Sequence, residues 1–315
     1  MGLRTMFPAS REKPASQYSL GANIPDKKTG FGPFTGSDVA LLREHYNLST
    51  WILLGCVLQS GIYFVFPRSY AAFPALLLFG WGIVDVMLMH SGLRKDIYIE
   101  DVIDGKWSVA YPGPGETEAI GGKPGDNGPG AVMILGTRSN SPMGFFAEGF
   151  KEVGDRFRTM LVQLEETRED SGFMGMSTWT SAGERSSRNE YATISYWRSV
   201  EDIHQFALSP VHKDAWKWWN DTAKAHKHIG IMHEVFALPE RSGWEGIYIN
   251  YHPTGLGKTS RPVKNKETGE VTWVNPIVDA SRGAYRTSHG RMSRGDAEGK
   301  GTAEMPKDPE IYNKF

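Results

Sequence analysis

A chain of 315 residues with 35 Lys and Arg, 36 Asp and Glu, a formal net charge of -1 and an isoelectric point near 6.8 has no global electrostatic attraction for nucleic acid. Its one cysteine, Cys56, excludes an intramolecular disulfide and a cysteine-rich zinc site, so stability has to come from packing. Ten tryptophans and fifteen phenylalanines are ample for a core, and the length admits one domain with appendages or two small domains.

Residues 1–46 are polar, with Pro8, Pro14, Pro25, Pro33 and many Gly and Ser, and read as a disordered arm. Their apolar content begins only near Trp51, too far along for a cleavable secretory signal. Residues 47–91 then form a hydrophobic hairpin. NLSTWILLGCVLQSGIYFVF (47–66) and YAAFPALLLFGWGIVDVMLM (70–89) each have about the length of a bilayer crossing, and Asp85 is the exception in a nearly uncharged pair. Arg43 before the hairpin and Arg94 and Lys95 after it predict cytosolic flanks, which gives a membrane tether, read as one of the endoplasmic reticulum. Buried helices of a soluble domain, or a hairpin lying in one leaflet, are the alternatives. The sequons at Asn47 and Asn220 would not be lumenal under this topology.

Residues 92–130 read as a juxtamembrane segment and a Gly/Pro linker, since PGPGETEAIGGKPGDNGPG (112–130) can hold neither a helix nor a central strand. Regular patterns follow. AVMILGT (131–137) reads as a strand, and residues 148–170 place Phe150, Val153, Phe157, Met160, Leu161 and Leu164 at helical spacing. GFMGMSTWTS (172–181) and EYATISYWRS (190–199) form an antiparallel hairpin around the polar turn SAGERSSRN. A short helix, a break at Pro210 and a second helix carrying Trp216, Trp218 and Trp219 come next. HIGIMHEVFALP (228–239) and WEGIYINY (244–251) close the series as strands.

The order β-α-β-β-α-β over residues 131–252 predicts an α+β, ferredoxin-like antiparallel sheet with helices on one face. A second copy covering the other face would make a homodimer. The remainder, 253–315, reads as an extended tail in which GEVTWVNPIVDASRG (269–283) is able to pack.

Several motifs have to be weighed. HPTGLGKTS (252–260) lacks the first Gly of a phosphate loop, and Pro262 interrupts the helix that should follow; GGKPGD (121–126) fails in the same way. His228 and His233, five apart, point to opposite faces of a strand, which argues against a shared metal, although one axial histidine would suffice for haem. On the same strand His233 shares a face with Ile231 and Val235, and Glu234 with Met232 and Phe236, so only one of them can line a given cavity. A polar residue at a sheet centre needs a partner or a pocket, and each could be a satisfied structural residue. The segment Ser195-Tyr196-Trp197-Arg198-Ser199 is a second candidate, with aromatic packing and a surface ion pair for Arg198 as the plain reading. Trp216 and Trp219, at i and i+3, mark an inner helix stripe that is core or pocket wall.

SYWRSVEDIHQFALSPVHKDAWKWWN, HIGIMHEVFALPERSGWEGIYINYHPTGLG and WVNPIVDASRG together resemble the fungal monooxygenase-like family of the fumagillin-pathway type, within the antibiotic-biosynthesis monooxygenase superfamily of dimeric α/β barrels. The likeness spans roughly residues 131–285. Met232 stands where the family has an aromatic. The resemblance implies oxygen insertion into a small hydrophobic metabolite, terpenoid or polyketide, with molecular oxygen as co-substrate and no other cofactor. Polar residues at strand centres, independently of the resemblance, make His233 the best base by its unperturbed pKa, with Glu234 as the other candidate, and Trp197, Arg198, Trp216, Tyr248 and Asn250 candidates around the substrate. A haem aldoxime dehydratase-like enzyme with His233 or His228 as axial ligand, and a non-catalytic membrane-bound partner of a biosynthetic enzyme, are the competing expectations.

Overall fold

The computed structural model describes residues 6–14, 46–111, 130–180, 190–238, 244–265 and 267–292. The Gly/Pro linker, the turn at 181–189, the last residues of the tail and most of the N-terminal arm lie outside that set. The described chain falls into two units, one holding residues 46–102 and the other residues 6–14 together with the chain from Ile103 onward.

The first unit holds two helices, α1 (Leu48–Val65) and α2 (Phe73–His90), of 18 residues each. Neither buries a single residue within the protein, because apolar side chains point outward all round. Pro74 lies in the first turn of α2, where a missing N–H costs nothing. The Gln59 amide donates to the Ala71 carbonyl at 2.7 Å, and Arg94 forms an ion pair with Asp85, the one acid of the hairpin.

The second unit is built on an antiparallel four-stranded sheet made by β2 (Gly130–Ser139), β3 (Phe173–Thr180), β4 (Glu190–Trp197) and β5 (Ile229–Leu238) in the order β3-β4-β2-β5. Between them run α3 (Phe150–Glu166), the single turn α4 (Arg168–Ser171), α5 (Val200–Ala207) and α6 (Pro210–Thr222). This is the expected ferredoxin-like arrangement, with each helix feeding a strand two places away in the sheet. Period-3.6 spacing on α3 carries Phe157, Leu161 and Leu164 onto Ala131, Phe173, Met176, Trp197 and Ile203, while Phe150 and Val153 pack with Ala147, Ile229, Tyr191 and Trp219. Pro210 opens α6 as its first residue, and the Ser209 hydroxyl accepts the His212 N–H at 3.4 Å as N-cap.

A second sheet corrects the reading of residues 103–109 as juxtamembrane segment and of residues 261–279 as extended tail, whereas the Gly/Pro stretch 112–129 lies outside the described residues. β1 (Ile103–Val109) is the central strand of the order β6-β1-β9, between β6 (Tyr248–Tyr251) and β9 (Ile277–Asp279). β7 (Arg261–Lys264) and β8 (Val271–Val274) form a hairpin beside it. Of the expected strand 244–251 only β6 is regular, and it pairs with β1 rather than with the ferredoxin-like sheet. β1 escapes pattern reading because IDGKWSV mixes Gly and charge with one aromatic. It is buried nonetheless: Trp107 has no solvent contact, and the Lys106 ammonium, also buried, donates to the Arg286 carbonyl at 2.7 Å. Residues 6–14 also depart from the disordered-arm reading, since Ser10 bridges to Trp273.

Candidate functional site

The alternation of β5 sorts the two candidate bases. Val235 lies opposite Met133 and packs with Phe206 in the helix-side core, so His233, two residues back and opposite Leu135, faces the helices. Glu234, opposite Ile134, faces the other side together with Met232, whose sulfur lies 2.9 Å from where a Cβ on Gly136 would stand. β5 is an edge strand and both His233 and Glu234 are exposed, so the premise that they sit at a sheet centre and must find buried partners does not hold in a single chain.

A second histidine, passed over by pattern reading, lies on the helix side. His212 occupies the first turn of α6, edge-on to Phe206 at 5.8 Å. Burial holds its imidazole below the usual value, the Ala207 backbone acts in the opposite direction, and the neighbouring His233 lowers it further. His212 is thus held toward its neutral form against Phe206, at the margin of the helix-side core. Trp216, one turn after His212 on the same stripe, is 62% exposed rather than core and forms the rim. The signal for His212 was its place just inside a Ser-Pro helix start.

Trp197 and Arg198 take the plain reading. Trp197 is buried in the core, 5.3 Å edge-on from Phe173, and its indole N–H donates to the Ser195 hydroxyl at 2.9 Å. Arg198 grips both oxygens of the buried Asp202 carboxylate, at 3.0 and 2.6 Å, and Ser199 caps α5 by accepting the Asp202 N–H at 3.1 Å. The Asp202 carboxylate also fills the space above Gly172, where a Cβ would come within 2.3 Å of Oδ2 and the backbone φ is +72°.

Tyr248 and Asn250 lie on the second sheet, not beside His233. Asn250 adopts φ 47°, tolerable for Asn, and its Oδ1 accepts the Gly105 N–H at 2.7 Å, a structural role. Tyr248 stacks on Trp107 with centroids 3.9 Å apart and donates to the Thr254 carbonyl at 3.2 Å. Tyr196, neighbour of Trp197 but on the opposite face, converges with it. Its hydroxyl lies 3.2 Å, and that of Tyr248 3.6 Å, from where a Cβ on Gly255 would sit, and the Ser177 hydroxyl accepts the Gly255 N–H at 2.9 Å. Burial pushes Tyr196 up to about 12, with Tyr248 adding to the shift, and burial raises Tyr248 also. Both phenols stay protonated donors.

His226 and His228 are engaged elsewhere. His228 Nε2 bonds to the Glu148 carbonyl at 2.8 Å, and buried His226 packs on Trp218 at 5.4 Å.

Against known proteins, the profile of the family described as Monooxygenase af470-like matches residues 131–256. Monooxygenase af470 of Aspergillus fumigatus is 30% identical over 255 residues, covering 81% of this chain and 90% of the relative. A match of 255 residues in a chain of 315 leaves at most 60 outside it, so it spans residues 61–255 and with them α2 and β1. Among solved structures, aldoxime dehydratase (OxdRE) in complex with butyraldoxime aligns at a TM-score of 0.33 and 15% identity, covering 42% of this chain and 40% of that one. SnoaB, a cofactor-independent oxygenase from Streptomyces nogalater, aligns at 0.22 and 16%, covering 35% and 91%.

Proposed function

Because the chain belongs to the monooxygenase af470-like family, we propose that it is a membrane-associated monooxygenase acting on a small hydrophobic metabolite, a terpenoid or polyketide, with molecular oxygen as co-substrate and no flavin, haem or metal. The observation that carries this reading is the 30% identity to a monooxygenase over nine tenths of that relative's length. His233, exposed on the helix side of β5, is the base, and Trp216 borders the substrate. Glu234, Trp197, Arg198 and Asn250 have no part in the chemistry. Tyr248 acts through the second sheet.

The chemistry balances without an external reductant. Loss of a proton from an activated CH2 to His233 leaves a carbanion that reduces dioxygen; one oxygen remains on carbon as C=O, the other leaves as water, and the four electrons come from the carbon. An apolar margin suits this because it keeps water from the carbanion. Two apolar helices of 18 residues support a membrane tether, which we read as one at the cytosolic face of the endoplasmic reticulum; apolar substrates concentrate in the bilayer. A second copy covers the exposed Met232 and Phe236 of β5.

The test is metabolite extraction from producing and gene-deleted cells grown under 18O2. The expected outcome is a product carrying one labelled oxygen that the deleted strain lacks, together with accumulation of an oxygen-poorer precursor. Label arriving from water instead would overturn the reading, and a Soret band in active purified protein would replace it with haem chemistry.

A further inference from the structure

The chain before the hairpin and the domain after it are bonded to each other. The Met6 N–H donates to the Ile277 carbonyl at 3.1 Å, and Ser10 and Trp273 exchange backbone bonds at 3.0 and 2.7 Å, so the segment adds itself along β8. Arg11 pairs with Glu270 at 2.8 Å. The Lys13 ammonium donates to the Glu165 and Glu166 carbonyls, two of the last α3 carbonyls that have no partner within the helix. Residues 6–14 are therefore a strap on the same folded unit that β1 opens after α2.

Flanks bonded to one unit cannot lie on opposite sides of a bilayer, which excludes an odd number of crossings by the hairpin. Three further observations decide between the even cases. Each helix, at 18 residues and a rise of about 1.5 Å per residue, comes close to the roughly 30 Å hydrocarbon core. Neither helix presents a continuous polar face, as a helix lying flat in the interface would need. The connecting turn carries the exposed Arg68, which a hairpin returning from mid-bilayer would leave in hydrocarbon along with unpaired turn backbone.

We propose that the hairpin crosses the bilayer twice, with the Pro67–Tyr70 turn on the side opposite the strap and the ferredoxin-like domain, and that the strap holds the two flanks together. The inference rests on the membrane association proposed above and adds its topology. It is tested in the full chain with Cys56→Ser as background and single cysteines at Glu12→Cys in the strap, Ser69→Cys in the turn and Lys227→Cys on the domain. Sealed microsomes are treated with a membrane-impermeant maleimide, with and without detergent, and a parallel sample is washed with alkaline carbonate. The expected result is that Glu12→Cys and Lys227→Cys label equally in intact vesicles, whereas Ser69→Cys labels at least tenfold more after detergent. Carbonate-resistant protein whose Ser69→Cys labels freely in intact vesicles overturns the double crossing while leaving membrane association standing. Opposite accessibility of Glu12→Cys and Lys227→Cys overturns the strap. Complete release by carbonate removes the membrane reading itself.

Discussion

Arg198→Met removes the guanidinium but keeps the apolar stem, and it separates a structural arginine from a substrate-binding one. The variant strands the Asp202 carboxylate, whose side chain is 6% exposed, with the Ser199 hydroxyl at 3.0 Å as its remaining side-chain donor. Two charge-assisted hydrogen bonds are lost. At roughly 1.5–3 kcal/mol each they set an upper bound, and since the guanidinium itself is half in solvent the expected cost is about 2–3 kcal/mol. For a domain of this size that is a fall of about 5–10 °C in Tm, read by intrinsic tryptophan fluorescence of the detergent-solubilised full chain. KM should not move. A double-mutant cycle sharpens the test, because Gly172→Ala alone suffers its positive φ and contacts of 2.3 and 2.4 Å to Asp202 Oδ2 and Cγ, whereas with Asp202→Ala only the 2.9 Å contact to Cβ and the backbone strain of about 1 kcal/mol remain. An unchanged Tm with a raised KM in Arg198→Met would return Arg198 to the substrate, and strict additivity in the cycle would refute the packing of Asp202 over Gly172.

Turnover should fall by roughly 10²–10⁴ in His233→Ala, the loss expected of a general base, and by no more than a few-fold in Glu234→Ala; the reverse ranking would move the chemistry to the other face of the sheet. Gly257→Ala drives a Cβ to 2.7 Å from the Trp107 ring and should cost about 1–3 kcal/mol by urea midpoint, whereas Trp107→Phe should be milder than Trp107→Ala, at about 3–5 kcal/mol, because the indole N–H has no acceptor among the described residues. Alkaline titration should unfold the protein early. The raised phenols of Tyr196 and Tyr248 hold protons that the unfolded chain has already released, so stability declines as pH rises from about 10 toward about 12, and Tyr196→Phe should flatten that decline.

What pattern alone determined was everything with strong periodicity: the two uncharged helices, the stripe Phe157, Leu161, Leu164 on α3, and the β-α-β-β-α-β order, because period and punctuation are local properties of the chain. The face assignment of His233 and Glu234 was legible for the same reason, since alternation along a strand does not depend on what surrounds it. Burial was not. Trp197 and Trp216 look alike as aromatics, yet one lies in the core and the other on the surface, and Arg198 resembles a ligand-binding residue until Asp202 closes on it. Only the tertiary structure decided which distant segments meet: β1 with β6 and β9, Tyr196 with Tyr248 around Gly255, and Ser10 with Trp273 across the whole hairpin. Those pairings depend on three-dimensional proximity between short, weakly patterned segments, and sequence separation carries no trace of it.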